Sequence, residues 1–322
     1  MLRRAAPRLV DSSQPPVPAV ADALEDRGST PKGLWRSLRP RQWTKNVLVF
    51  VAPAAAGTLG HAGTAGQAIG AFAIFAGVAS GLYLLNDVMD VEADRLHPQK
   101  QRRPIASGAV GVIPALSLGA TLLVAGLVGA WLLAGWRLLL VMALYAAVSA
   151  AYSIWVKYLP VVELASVASG FVLRAIAGGV AASIPLSDWF LAVISFSALF
   201  IVIGKRLAEH SQLGTSREMH RAVLGQYTTS FLKSALVLTA TASVTTYCLW
   251  AFDRTGLGAT HPGHNIVWIQ LTVVPFVIAV LHVLRILDAG GGSAPEELAL
   301  KDRWLQVFGA FWLLFFLVGI YA

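Results

Sequence analysis

The sequence is poor in charged residues and has almost no cysteine. Asp, Glu, Lys and Arg make up 13% of its 322 residues, whereas a soluble domain of this length normally carries about 25%. The single cysteine, Cys248, excludes an intrachain disulfide and lies in an apolar run, which argues against a thiol-based mechanism. The chain therefore does not have the composition of a soluble enzyme or of a disulfide-stabilised secreted domain.

Long apolar windows take the place of these missing features. The chain is 56% hydrophobic with a mean hydropathy of +0.66, and several windows of roughly 20 residues, enough to cross a bilayer as a helix, are almost uncharged. These windows predict an all-α polytopic membrane protein, a bundle of about nine transmembrane helices. They cover residues 43–60, 66–86, 111–130, 132–151, 160–181, 188–204, 228–251, 265–284 and 304–321.

The basic residues predict the orientation of the bundle. The net charge of +8 does not indicate nucleic-acid binding here, because cytoplasmic loops of membrane proteins collect Lys and Arg. Most basic residues fall in alternate linkers, which predicts a multi-pass plasma-membrane protein with its N-terminus in the cytoplasm. Residues 1–35 are largely polar and Pro-rich, so we expect a disordered cytoplasmic tail ahead of a transmembrane domain over residues 36–322.

An acidic stripe lies in "LLNDVMDVEADRLHPQKQRRPIASG", residues 84–108, where the second apolar window ends. Asp87, Asp90 and Asp94 return to one face of a helix, and Asn86 reaches Asp90 by a four-residue offset. Clustered carboxylates repel each other unless a cation compensates, and hard oxygen ligands suit Mg²⁺ together with substrate phosphates. The pattern favours a magnesium–diphosphate site with these four residues as ligands and the three aspartates as catalytic groups. A cluster that is simply solvated at the membrane surface is the alternative.

Basic residues near the acidic stripe and within the fifth window are candidate anion ligands. Lys100, Arg102 and Arg103 can bind phosphate, although anchoring on the cytoplasmic side explains each of them equally well. Arg174 lies inside an apolar window, where an arginine is costly and needs a partner. Glu163, eleven positions earlier on nearly the same helical face, is the predicted partner, with a purely structural ion pair as the alternative.

The motif N-D-x-x-D-x-x-x-D followed by R-R-P-I-A-S-G resembles the UbiA-type intramembrane prenyltransferase superfamily. The resemblance implies about nine helices around a cytoplasm-facing cavity, with Mg²⁺ binding a diphosphate. Typical aromatic prenyltransferases of this kind carry a second Asp-rich motif after the sixth span. This chain has "GKRLAEH" there instead, with Lys205, Arg206 and Glu209.

Further blocks, including "LRPRQWTKNVLVFVAP", "GFVLRAIAGGVA" and "PEELALKDRWLQ", are similar to the actinobacterial decaprenyl-phosphate phosphoribosyltransferases. That resemblance implies transfer of 5-phosphoribose from phosphoribosyl diphosphate (PRPP) to decaprenyl phosphate, whose product feeds arabinan synthesis in the cell wall. Prenyl transfer to an aromatic acceptor is the alternative within the superfamily, and a transporter is the alternative from another class. We expect membrane lipids as partners and allow for a homo-oligomer.

For this reaction the sequence offers further substrate-binding candidates. Lys45 and Tyr83 are expected to hold PRPP, and Arg102 and Arg103 its phosphates. Other candidates to line the substrate cavity, mostly cationic, are Tyr152, Lys157, Glu163, Arg174, Lys205, Arg206 and Glu209. The offset from Lys205 to Glu209 is also that of an ordinary surface pair on a helix.

Overall fold

The computed structural model describes residues 29–97, 100–212, 223–253, 266–290, 298 and 301–321, and these residues contain helices and no strand. The α-helices are α1 (Pro31–Ser37), α2 (Val51–Ala55), α3 (Ala62–Met89), α4 (Val91–Leu96), α5 (Val112–Ile154), α6 (Val162–Ala181), α7 (Asp188–Gln212), α8 (Thr229–Phe252), α9 (Ile266–Leu271), α10 (Val273–Asp288) and α11 (Arg303–Tyr321). Of the predicted tail over residues 1–35, residues 1–28 lie outside the described residues, and the domain boundary near residue 35 stays a prediction.

Seven helices of the described chain are long and apolar enough to cross a membrane, with α9 and α10 counted as one span. The nine apolar windows exceed this number because 111–130 and 132–151 both correspond to α5, and because the first window, 43–60, forms no long α-helix. A straight helix of its 43 residues would be about 65 Å long, roughly twice the thickness of a bilayer core. The backbone is non-helical at Ala134 and Gly135, where Gly135 has a φ of 68°. This break divides α5 into two arms, each of them long enough for a span.

The first window, 43–60, is not a regular α-helix. Residues Pro40–Phe50 form a 3₁₀ helix that continues into the short α2. Such a helix has three residues per turn and rarely exceeds one turn, so this 11-residue run is unusually long. The segment still lies within the bundle, because Val49 and Ala52 are buried.

Apolar side chains pack the helices into a bundle around two main clusters. Phe75 and Val78 of α3 pack with Met142 of α5 and Leu173 of α6 in the first cluster. The second joins the N-terminal half of α6 with α7, α8 and α10. Helix α6 belongs to both clusters, so it is the element through which the two halves of the bundle are connected.

The closest backbone contact of α6 is made at Gly178. A Cβ atom added there would overlap the carbonyl oxygen of Val49 in the 3₁₀ helix. We expect Gly178→Ala to lower the free energy of unfolding by about 1–3 kcal/mol, because overpacking against backbone cannot be relieved by a side-chain rotation. Thermal unfolding of the purified protein in detergent measures this.

Gly77→Ala is the matched control within α3. Nothing lies within 4 Å of the Cβ position at Gly77. The alanine variant should therefore be as stable as the unmodified protein or more stable, by up to about 1 kcal/mol. Equal unfolding temperatures for the two variants would contradict the close contact at Gly178.

Candidate active site

The acidic stripe lies where α3 ends and α4 begins. Asp90 is the residue between the two helices, and the Asn86 side-chain amide donates to its carboxylate at 3.1 Å. Asp87 and Asp94 are buried, with 3% and 2% of their surface exposed. Buried carboxylates need charged partners, and the structure provides two arginines.

Arg39 and Arg103 neutralise the buried carboxylates. Nη2 of Arg39 lies 2.6 and 2.8 Å from the two carboxylate oxygens of Asp87. Nη1 of Arg103 lies 3.0 Å from Asp87 and 2.6 Å from Asp94. One guanidinium therefore links the two aspartates across seven positions of the chain, and α4 is fixed against the end of α3.

Arg39 is held in an unusual backbone conformation. Its φ of 53° and ψ of 57° are left-handed, and the following residue is Pro40. Left-handed conformations of non-glycine residues are strained and cluster at functional sites. The guanidinium also lies over the ring of Tyr83, 4.8 Å from its centroid, so the turn between α1 and the 3₁₀ helix brings this cation onto α3.

A polar cavity of about 320 Å³ opens beside Asp87. It is lined by Arg36, Ser37, Arg39, Asp87, Arg102, Arg103 and Pro104. Four guanidinium groups against one carboxylate give this cavity a positive field, which suits a ligand carrying several negative charges. Neither Asn86 nor Asp90 is among the residues that line the cavity, although both flank Asp87 on the chain.

The oxygen ligands at this site fit a magnesium ion that also binds substrate. The described residues contain no group of three His, Cys, Asp or Glu side chains arranged to hold a metal. Mg²⁺, however, usually takes only one or two carboxylates and completes its shell with water and substrate phosphates. Asn86 and Asp90 meet this requirement, since the Asn86 side chain lies against the Asp90 carboxylate and no arginine bonds to Asp90 in the described chain.

A second polar cluster lies deeper in the bundle around Arg174. Its Nε donates to Oδ1 of Asn46 at 2.8 Å, and its other nitrogens donate to the Gly170 carbonyl at 2.6 Å and the Tyr145 hydroxyl at 3.2 Å. The guanidinium carbon is also 4.8 Å from the ring centroid of Phe75. All these partners are neutral, so the described residues give this buried cation no carboxylate.

A third cluster is a closed ion-pair network. Arg206 binds Glu163 through two hydrogen bonds of 2.8 Å, and its Nη1 binds Glu209 at 2.8 Å. Glu163 is fully buried and Arg206 is 3% exposed. The Tyr227 hydroxyl accepts from the Val161 N–H at 2.8 Å and donates to Glu163 at 3.5 Å. Burial raises the pKa of Tyr227, so the hydroxyl stays protonated at neutral pH.

The sequence from residue 47 to residue 315 matches the model of the UbiA prenyltransferase family. The chain belongs to that family. It is 46% identical over 287 residues to the decaprenyl-phosphate phosphoribosyltransferase of Mycolicibacterium smegmatis, covering 87% of this chain and 90% of that protein. It is 41% identical over 321 residues to the protein of the same name from Corynebacterium glutamicum, covering 96% and 94% of the two chains.

The fold is also similar to that of a UbiA homologue from Archaeoglobus fulgidus solved with GPP and Mg²⁺. The TM-score is 0.63 at 19% identity, over 89% of this chain and 98% of that chain. Membership in the UbiA family, together with seven apolar helices, makes this a multi-pass membrane protein. The all-helical fold expected from the sequence is confirmed.

Within this UbiA-family chain, the predicted pairing of Glu163 with Arg174 is wrong. The two residues do share a helical face, but eleven positions of α-helix separate them by roughly 16 Å along the axis. Glu163 instead binds Arg206 of the neighbouring helix α7, and Arg174 binds Asn46. Arg206 and Glu209 were expected to bind substrate, and in the structure Arg206 bonds to both Glu163 and Glu209.

The remaining candidates lie at different depths, and their roles stay predictions. Lys45 is in the 3₁₀ helix, with Nζ 6.0 Å from the ring centroid of Phe171. Tyr152 and Lys205 are half-buried in the C-terminal halves of α5 and α7. Lys157 follows α5 with Nζ 5.4 Å from the Tyr158 ring centroid, and Lys100 is exposed in a 3₁₀ turn before Arg102.

Sequence reasoning missed Arg36, Arg39, Asn46, Tyr145 and Tyr227. The positive-inside pattern explains every arginine near the first span equally well, so composition did not distinguish Arg39 from Arg41. Arg39 does differ from Arg41 in standing directly before Pro40, but proline favours an extended backbone at the preceding residue, so this position does not predict the left-handed conformation of Arg39. Asn46 carried no comparable signal, since its partner Arg174 is 128 positions away.

Proposed function

We propose that this UbiA-family protein transfers 5-phosphoribose from PRPP to decaprenyl phosphate and releases diphosphate. The observation that carries the proposal is the 46% identity, over 87% of the chain, to a named decaprenyl-phosphate phosphoribosyltransferase. The geometry supports the same reaction, because an arginine-lined cavity lies beside an acidic helix end. The product would supply arabinan synthesis in the cell wall.

The cavity beside Asp87 suits the donor better than it suits a prenyl diphosphate. PRPP is a small polyanion with a diphosphate on C1 and a phosphate on C5, and it has no apolar tail. Four arginines around about 320 Å³ offer charge-assisted hydrogen bonds to both ends of such a molecule. Asp87 and Asp94 hold Arg39 and Arg103 in position, so the cations are preorganised before the donor binds.

We propose Asn86 and Asp90 as the residues that hold Mg²⁺, which narrows the four ligands expected from the sequence. Asp87 and Asp94 are almost inaccessible and are bonded to arginines, and we assign them to positioning those arginines. The ion, when bound, would neutralise the diphosphate and assist its departure from C1. The structural similarity to a UbiA homologue solved with Mg²⁺ supports a metal at this site.

The chain's own contribution to the transfer is to bring two anions together. The C1–oxygen bond to the diphosphate breaks, and a bond forms between C1 and an oxygen of the lipid phosphate. A phosphate monoester is mostly ionised near neutral pH, so no strong general base is needed. Positioning by cations is then the main requirement, and the four arginines that line the cavity meet it.

The orientation is part of the same proposal. PRPP is water-soluble and cytoplasmic, so the acidic helix end and the arginine cavity should face the cytoplasm of a plasma-membrane protein whose N-terminus is inside. The distribution of Lys and Arg among the linkers supports this arrangement. A homo-oligomer is compatible with it.

Purified protein should transfer label from radiolabelled PRPP to decaprenyl phosphate in the presence of Mg²⁺. EDTA should abolish the transfer, because departure of the diphosphate from C1 then lacks the assistance of the metal. The measurement is radioactivity in the lipid extract. A parallel reaction offers a prenyl diphosphate with an aromatic acid. A prenylated aromatic product, without label in decaprenyl phosphate, would refute the proposal in favour of prenyl transfer.

A further inference from the structure

The surroundings of Arg174 leave its charge uncompensated. It is 5% exposed in the apolar interior of the described bundle, and its three hydrogen-bond partners are an amide oxygen, a carbonyl and a hydroxyl. The rings of Phe75, Tyr145 and Phe171 surround the guanidinium, with centroids 4.8, 5.1 and 6.0 Å from its central carbon. A buried cation without a counter-charge is expensive, so this site is arranged to receive an anion.

Asn46 gives a second and independent indication of a missing ligand. Its Oδ1 accepts from Arg174, which orients the amide so that Nδ2 points away from the guanidinium. Nδ2 is buried and has no hydrogen-bond partner among the described residues. An unpaired buried donor costs about 1–3 kcal/mol, and the natural partner for a donor beside a cation is an anionic oxygen.

The position of this cluster separates it from the acidic stripe. Phe75 and Asn86 lie on one face of α3, eleven residues apart, which is roughly 16 Å along the helix axis. Tyr83 lies between them. Arg39, which lines the arginine cavity, covers the Tyr83 ring, and the same ring packs against the cluster that contains Phe75 and Tyr145. Arg174 and Asn46 therefore form a site below the donor cavity, on the membrane side of it.

Access to Arg174 exists from the cytoplasmic side of α6. Gly170 and Phe171, one turn closer to the donor cavity, are both partly exposed. Lys45 also lies 6.0 Å from the Phe171 ring centroid, so two cations approach the same aromatic ring. An anion entering here would meet positive charge first and apolar ring surface around it.

We propose that Arg174 and the Asn46 amide bind the phosphate group of the acceptor, a phosphate monoester carrying an apolar chain. The inference rests on the proposed phosphoribosyl transfer and adds that donor and acceptor anions have separate subsites. A single phosphate suits the site at Arg174 and Asn46, because this site has one cation, one free amide donor and surrounding apolar rings. The polyanionic donor suits the cavity with four arginines. Tyr83 then lies between the two anions.

The test compares the acceptor and donor dependence of Arg174→Met with those of the unmodified protein. We expect the KM for decaprenyl phosphate to rise by about 30-fold or more, because a buried charged hydrogen bond to phosphate is lost, while the KM for PRPP stays unchanged. Arg174→Lys keeps the charge and should recover part of the acceptor affinity. Asn46→Leu removes the free donor and should raise only the acceptor KM.

Direct binding separates this inference from the reaction itself. Radiolabelled decaprenyl phosphate is bound to detergent-solubilised protein without PRPP or Mg²⁺, with decaprenol as the comparison that lacks the phosphate. The unmodified protein should prefer the phosphate, and Arg174→Met should lose the preference. This preference can be measured even if no phosphoribose is transferred, so failure of the proposed function and failure of the subsite give different results.

Arg137→Met is the matched control, since this arginine is exposed and lies beside Trp136 at the break in α5. It should behave as the unmodified protein in every measurement. A rise in the KM for PRPP instead of decaprenyl phosphate in the Arg174 variants would overturn the proposal. An unchanged binding preference would overturn it as well. So would equal rises in both KM values, if Arg174→Lys and Asn46→Leu also had a lower unfolding temperature.

Discussion

Asp90→Asn should reduce phosphoribosyl transfer by roughly 10²- to 10³-fold, the usual cost of losing one electrostatic contact to the reacting groups. Asparagine keeps the size of the side chain and its hydrogen bond with Asn86, but it removes the charge that we assign to the metal. Since no arginine bonds to Asp90 in the described chain, the fold should be unaffected. The measurement is the initial rate of lipid labelling over a range of Mg²⁺ concentrations, with the unfolding temperature recorded in parallel.

Glu92→Gln is the control for this loss of activity. Glu92 lies two positions away on α4 and is exposed, so removing its charge changes the local field without touching the proposed ligands. It should retain the activity of the unmodified protein. Full activity of Asp90→Asn at low Mg²⁺ would exclude a metal-binding role for Asp90, and an equal loss in both variants would point to a general field effect.

Glu163→Gln should cause the largest loss of stability of any single change considered, about 3–5 kcal/mol, because it leaves the guanidinium of Arg206 buried without its main partner. Both hydrogen bonds from Arg206 to Glu163 are 2.8 Å long and Glu163 is fully buried. Glu209 alone remains, and it is 28% exposed. Thermal unfolding in detergent measures the effect.

Two further variants show that the loss arises from an unpaired charge. Lys233→Gln removes an exposed ion pair with Asp288 and should change stability by less than about 1 kcal/mol. The double variant Glu163→Leu with Arg206→Met removes both charges and should recover most of the stability that the single variant loses. If the double variant is no more stable than Glu163→Gln, the network contributes through its shape and not through charge pairing.

The sequence predicted those parts of the site that depend on local helical geometry. The offset of four places Asn86 beside Asp90, as found, and the apolar windows predicted the membrane helices. Arg103 was predicted near the stripe as a candidate phosphate ligand, and the structure shows that it links Asp87 to Asp94. The neutralisation of Asp87 by Arg39 joins residues 48 positions apart, which no helical periodicity can reveal.

The same limit explains the error at Glu163 and Arg174. Helical periodicity tells which residues share a face, and distance along the axis decides whether they touch. Each of the two residues bonds to a side chain on another helix, because a neighbouring helix has side chains at the same depth in the bundle. Hydropathy likewise does not show whether two adjacent windows, such as 111–130 and 132–151, are separated by a loop or by a break within one helix.

The 3₁₀ helix over Pro40–Phe50 has three distinct sides, because it makes one turn every three residues. Side chains three positions apart eclipse one another in such a helix, and one side carries Trp43, Asn46 and Val49. Trp43 donates to Ser80, Asn46 accepts from Arg174, and the Val49 carbonyl lies against Gly178. Another side, formed by Arg41, Thr44 and Val47, is exposed. In an α-helix each step of three would rotate by about 60°, and Asn46 would turn away from Arg174. The deep anion site therefore depends on the pitch of this segment as much as on the identity of its residues.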